Sequence, residues 1–263
     1  MSIVIDRVPA HLRQLAEAVV AEAETDPRLL AVVAGGSIAT GTSDEHSDLD
    51  LVLVCAPDKH QECLAEAPVF AARLGPLLAS FTGEHVGEPR LLIALYGPPL
   101  AHVDLKFVTP DDLRDRVEDG VVLWQRDDSV DRAYSTSQPS WPEVDPQWIE
   151  DRFWVWVHYT AVKIARGELF EAVEALGAIR SATIAPLATL GRTSKPSGVR
   201  RLETLAPELV PELRATVPIA DPDDCLRALN ASVDLYRKVR DSSGVAVERR
   251  TAAEQAVVAF LAD

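Results

Sequence analysis

Between Pro9 and Glu24 the apolar residues Leu12, Leu15, Ala16, Val19 and Val20 recur at three- and four-residue spacing, which predicts an amphipathic helix. Beyond the Thr25-Asp26-Pro27 turn the pattern shortens to an unbroken apolar run, Leu29 to Ala34, as in a buried strand. A stretch of small and polar residues from Gly35 to Ser47 leads into Asp48-Leu-Asp-Leu-Val-Leu-Val54, whose β-branched and apolar density predicts a second buried strand. Residues 59 to 79 read as helix. Arg90 to Tyr96 and His102 to Val108 read as strands joined by a hairpin over Gly97-Pro98-Pro99. Thr109 as N-cap and Pro110 in the first turn predict a further helix, and Val121 to Trp124 a last short strand.

From Asp127 to Pro146 the sequence is polar and irregular, and nothing downstream resembles a strand. Trp148 to Arg166, Leu169 to about Leu190, Asp223 to Val239 and Ala246 to Leu261 all carry the helical period, with Gly and Pro between them. The expected organisation is an α/β (α+β) domain with a small mixed sheet over residues 1–140, followed by an all-α helical bundle over 141–263.

Composition narrows the possible partners. The 263 residues are 47% hydrophobic and 25% charged, with 26 Lys and Arg against 41 Asp and Glu, for a formal net charge of −15. Residues 1–140 carry −12 of it and the remainder −3, so the field of the α/β half repels polyanions and excludes a nucleic-acid partner. No run approaches the roughly 18 apolar residues of a membrane span, and Met1 to Asp6 lacks the basic start and long apolar core of a secretory leader, so a cytoplasmic protein with no membrane association is expected. Cys55, Cys63 and Cys225 show no C-x-x-C spacing and read as reduced, buried thiols. The oligomeric state is left open.

The chemistry concentrates in Gly35-Gly36-Ser37 to Leu51. A Gly-Gly-Ser step after a strand lets the backbone approach an anionic ligand closely, and Ser37 adds a hydroxyl donor. Asp48 and Asp50, two apart on a strand, project from one face while Leu49 and Leu51 enter the core, and paired hard oxygen ligands suit Mg²⁺. Asp104 is an acid inside an otherwise apolar strand and is the candidate third carboxylate; the bland alternative pairs it with Lys106 on the same strand face. Gly36 to Ser43 has the glycine spacing of a P-loop, but Thr42 stands where that loop requires Lys, and another strand follows where a P-loop would continue into a long helix.

Gly36-Ser37, ten intervening residues, Asp48-Leu49-Asp50-Leu51 and a later strand aspartate together resemble the DNA polymerase β-like nucleotidyltransferase superfamily. The layout of a minimal α/β domain and a helical bundle is most similar to the antibiotic nucleotidyltransferases that adenylylate aminoglycosides or lincosamides, enzymes of antibiotic resistance. The resemblance implies two Mg²⁺ ions on Asp48 and Asp50, with Asp104 as third ligand, general base or both. It further implies ATP as donor, Gly36, Ser37 and Ser47 on the triphosphate, and transfer of AMP to a hydroxyl of a small, possibly cationic acceptor with release of pyrophosphate. Glu84 and Glu88 are alternative bases, and Lys163, in the aromatic helix of the second half, is the candidate phosphate contact from there.

Trp148, Phe153, Trp154, Trp156 and Tyr159 could stack on a base or a drug ring, although core packing explains most of them; Tyr236, followed by Arg237-Lys-Val-Arg240, could contact nucleotide or merely sit at a helix surface. Two other readings stay open: a protein-directed, toxin-like or regulatory nucleotidyltransferase, and a nucleotide-binding module without turnover.

Overall fold

The computed structural model describes residues 8–262. The Met1 to Asp6 stretch considered above for a leader lies outside the described residues. The chain divides into two compact units, one up to Trp141 and one from Pro142 onward.

The first unit runs α1 (Ala10–Thr25), β1 (Leu29–Ala34), α2 (Gly36–Thr40), β2 (Leu49–Cys55), α3 (His60–Arg73), β3 (Leu77–Gly83), β4 (Glu88–Tyr96), β5 (Ala101–Val108), β6 (Val121–Gln125) and α4 (Ser129–Thr136). The strands form one mixed sheet in the order β3-β4-β5-β2-β1-β6, in which β2 and β5 are parallel and every other neighbouring pair is antiparallel. Alternation along β2 decides which face is covered: Leu49, Leu51 and Leu53 are buried, and Asp50 and Val52 are half-buried. The leucines join Leu92, Val103, Leu105 and Phe107 in a core with Leu12, Ala16 and Val19 of α1 and Cys63 and Phe70 of α3, with Phe70 meeting Phe107 edge-on at 5.9 Å. Burial of each such leucine contributes roughly 1.5–3 kcal/mol. A smaller cluster lies around Val33, Val54 and Val108 with Leu113, Val130 and Ala133.

Two sequence expectations need correction. The helix expected over 59 to 79 ends at Arg73, because Gly75-Pro76 cannot continue it, and Leu77–Gly83 instead forms the edge strand β3. The helix expected after Thr109 is a single 3₁₀ turn, Asp112–Asp115, in which the Thr109 hydroxyl accepts from the Asp112 amide and the Asp112 carboxylate accepts from the Thr109 amide.

The second unit is helical: α5 (Pro146–Ala165), α6 (Leu169–Ile179), α7 (Ala185–Ala188), α8 (Leu202–Leu205), α9 (Val210–Ala215), α10 (Pro222–Ser242) and α11 (Thr251–Ala262). A π turn, Arg180–Ile184, links α6 to α7. Asp145 caps α5 by accepting from the amides of Gln147 and Trp148, and Asp221 caps α10 in the same way through Asp223 and Asp224. Phe153 and Trp154 of α5 are core residues, as is Tyr236 of α10, whose ring stacks on Phe153 at 3.5 Å. Their burial in this core gives these three a packing role in place of a base-stacking one, and places Tyr236 inside the bundle and not at a helix surface. No described helix is long and apolar enough to cross a membrane, and all three cysteines are buried and free.

Candidate active site

The turn between β1 and α2 brings the glycines to the acids. The Gly35 amide donates to the Asp50 carbonyl at 2.9 Å, which fixes the turn to the start of β2. Gly36 has φ +53°, a conformation that favours glycine, and a Cβ there would meet the Asp50 carboxylate and displace it. After one helical turn Gly41 closes α2 in the left-handed region, and the Ser37 hydroxyl lies 3.0 Å from that of Ser43.

The loop into β2 is organised by Asp44, whose carboxylate accepts from the His46 amide at 2.9 Å and from the Ser47 hydroxyl at 3.2 Å, while Ser47 Oγ accepts from the Asp44 amide. Ser47, expected on the triphosphate, is thus engaged in this turn. Asp48 comes next, half-buried, and among the described residues it has no hydrogen bond or ion pair.

Parallel pairing of β2 with β5 sets Asp50 opposite Asp104 in register, which puts both side chains on one face of adjacent strands, about 4.8 Å apart along the sheet. The partner of Asp104 is His102, with Nε2 2.9 Å from Oδ1, and not Lys106. Lys106 reaches Glu88 at 2.7 Å, as does Arg90 at 2.7 Å. The Arg90 guanidinium, followed by the Lys106 ammonium, outweighs burial and holds the Glu88 carboxyl down at about 2. Such a carboxylate is a poor base. Ile93 of β4 is the residue in register with Asp104, so Glu88 lies five positions, about 16 Å of strand, from the Asp104 row. Glu84 is an exposed residue of the β3–β4 turn that accepts from the Thr82 hydroxyl, and this bond holds its carboxyl below the usual range. Asp104 is the one of these three acids that stands in register with Asp50.

Lys163, expected on the phosphates, stands in the last turn of α5 and bonds Glu168 at 2.5 Å, which raises its ammonium above the ordinary lysine range. Two residues near the acids escaped the sequence reading. His102 was legible in principle, because His102, Asp104 and Lys106 alternate with buried Val103 and Leu105. Glu118 was not: its Oε1 accepts from the Gly36 amide at 3.3 Å, a contact created by β6 pairing back onto β1 across 82 residues of chain.

Among the described residues no three His, Cys, Asp or Glu side chains already converge as an ion cage. The donor set nevertheless fits Mg²⁺, which keeps several waters and takes one or two carboxylates plus substrate phosphates. Asp48 and Asp50 are hard oxygen donors beside the glycine turn, whose Gly36 amide is held by Glu118, and among the described residues Asp48 makes no hydrogen bond or ion pair that would compete with a cation.

Residues 12–85, from α1 into the β3–β4 turn, match the family model of the nucleotidyltransferase domain; the match includes Gly36, Asp48 and Asp50. No curated protein matches the sequence. An aminoglycoside 6-adenyltransferase from Bacillus subtilis is similar at 15% identity and a TM-score of 0.42, covering 95% of this chain and 97% of that one. A nucleotidyltransferase-like protein from Exiguobacterium sibiricum 255-15 is similar at 12% identity and a TM-score of 0.39, covering 86% of this chain and 74% of that one. With its family match falling on the segment that joins the glycine turn to the paired aspartates, the chain carries a nucleotidyltransferase domain and is a nucleotidyltransferase enzyme.

Proposed function

We propose that the protein transfers AMP from ATP to a hydroxyl of a small molecule. The observation that carries this reading is the in-register pair of Asp50 and Asp104 on parallel strands, with the Gly36 turn against Asp50. Asp48 and Asp50 would hold Mg²⁺, which when bound supplies charge neutralisation to the triphosphate. Gly36 and Ser37 would lie along the β- and γ-phosphates. Asp104 takes the proton of the acceptor hydroxyl as its oxygen bonds to the α-phosphorus; the bond from that phosphorus to the bridging oxygen breaks, and pyrophosphate leaves. His102, on the carboxylate oxygen of Asp104, orients that carboxylate.

The acidic α/β half attracts an acceptor that bears positive charge, as an aminoglycoside does, and repels a nucleic-acid acceptor. Buried free thiols suit a reducing cytoplasm. The deciding experiment measures pyrophosphate release from ATP, GTP, CTP and UTP with Mg²⁺ over a panel of aminoglycosides and lincosamides, with Asp48→Asn as control. Release that depends on acceptor and is lost in the variant supports the reading. ATP and Mg²⁺ binding without stimulation by any small molecule would turn attention to protein acceptors, visible as a mass increase on coexpressed proteins.

A further inference from the structure

Sheet register orders the site from one side to the other. Gly36 lies against Asp50 of β2; Asp50 pairs with Asp104 of β5, Asp104 with Ile93 of β4, and Ile93 with Phe81 of β3. Partners in register share a face, so this row runs from the phosphate-binding turn through two carboxylates to two large apolar side chains. A parallel row repeats the change one pleat along: His102 pairs with Leu95, and Leu95 with Ala79. Phe81 is 55% and Leu95 38% exposed, and neither of the two hydrophobic clusters of this unit includes them or Ile93.

We infer that this β4–β3 strip, formed by Ile93, Leu95 and Phe81 on the far side of Asp104 from the glycine turn, is the acceptor subsite, and that the acceptor is a hydroxylated molecule with an apolar ring or chain. The inference rests on the nucleotidyl-transfer reading above and adds the class of acceptor to it. The triphosphate belongs at Gly36, so the attacking hydroxyl must approach Asp104 from the opposite side, where β4 is the next strand. At about 4.8 Å between strands, Ile93 and Phe81 extend about 10 Å beyond Asp104, the length of a sugar ring with a short substituent.

Charge on the hairpin agrees with an apolar body. Its two glutamates lie toward its turn and are engaged, Glu84 with Thr82 and Glu88 with Arg90 and Lys106. A polycation laid along the strip would find apolar side chains where it needs carboxylates. An acceptor with a single ammonium and an apolar body satisfies both the acidic field of the unit and the strip.

The test titrates the full chain, labelled with ¹³C in its isoleucine and leucine methyls, with octyl glucoside below its micelle concentration and separately with kanamycin. The glucoside should shift the Ile93 and Leu95 methyls saturably. Phe81→Ala, at an exposed position, should weaken that binding about fivefold, while Val69→Ala, exposed on α3, leaves it unchanged. Kanamycin binding more tightly at the same methyls, a glucoside that leaves them in place, or a Phe81→Ala variant that binds like wild type would overturn the inference. ATP with Mg²⁺ in the same sample should move the Ile38 methyl of α2 in wild type and not in Asp48→Asn. Failure of that shift alone counts against the nucleotide reading and is distinct from failure at the strip.

Discussion

In the helical unit the Glu150 carboxylate, fully buried, accepts from the Tyr236 hydroxyl, the Trp154 indole at 3.3 Å, the Arg250 amide at 2.9 Å and Arg240 at 3.4 Å. In the α/β unit the half-buried Asp48 accepts from no described residue. Burial alone would push the Glu150 carboxyl up, yet the Tyr236 hydroxyl, the Arg250 amide and the Arg240 charge together hold it below the usual range. Its ligands come from α5, α10 and the residue before α11, so the anion ties three helices together and is saturated by doing so. Asp48 has the same functional group without the saturation. A carboxylate that the fold completes is architecture, and Asp48 is one that the described residues leave incomplete.

Substitution separates the two most sharply at the acids. Asp48→Asn or Asp50→Asn should lower turnover about a thousandfold, because removing one charge removes several kcal/mol of phosphate neutralisation, while the thermal midpoint stays within about 2 °C of wild type. Wild-type-like turnover in either variant would end the assignment of these two residues to the metal. Glu150→Ala should do the reverse. It leaves the Tyr236 hydroxyl and the Trp154 indole buried without their acceptor, while Arg240 keeps Asp241 and Glu254, and should cost about 3 kcal/mol in urea denaturation. A stability loss below about 1 kcal/mol would show that the network is not the tie described here.

Gly36 tests whether the two kinds of effect can be joined at one position. Gly36→Ala introduces a Cβ into the space of the Asp50 carboxylate at a positive φ, so turnover should fall about a hundredfold with a stability loss of about 1–2 kcal/mol. If turnover falls no more than that stability loss explains, the Asp50 position is not set by the glycine turn.

How far the sequence shows this depends on the range of the interaction. β1 was legible as an unbroken apolar run, β2 by its β-branched and apolar density, and the long helices α5 and α10 by a local period of about 3.6 residues. β3 was not, because Leu77-Leu78-Ala79-Ser80-Phe81 lacks the alternation of a strand packed on one side: Leu78 and Phe81 are both exposed at the sheet edge. At the site, Gly36, Asp48 and Asp50 share one short motif and were found together, and Asp104 stood out as an acid among apolar neighbours. Glu118 reaches Gly36 only through sheet pairing, and the partners of Asp104 and Lys106 depend on rotamers and cross-strand register that no spacing rule contains.

Glu88 supplies the smallest effect and the finest test of the comparison, since it lies in the same sheet as the aspartates but is saturated in the manner of Glu150. With Arg90 and Lys106 on its oxygens it should not take a proton from an acceptor, so Glu88→Gln should keep kcat within about threefold of wild type. Its depressed pKa, about 2 against an ordinary 4.5, makes its contribution fully present above about pH 4.5 and lost as pH falls toward 2. The ion pairs are partly exposed, and solvent screening reduces that contribution to about 1 kcal/mol. Urea unfolding of wild type and Glu88→Gln should therefore differ by about 1 kcal/mol at pH 6 and converge as the pH approaches 2. A difference that stays constant with pH would show that the ion pairs leave the ionisation of Glu88 unchanged, and a collapse of kcat in the variant would return Glu88 to the list of bases. In either case, cross-strand partners would no longer suffice to tell an architectural carboxylate from a reactive one in this sheet.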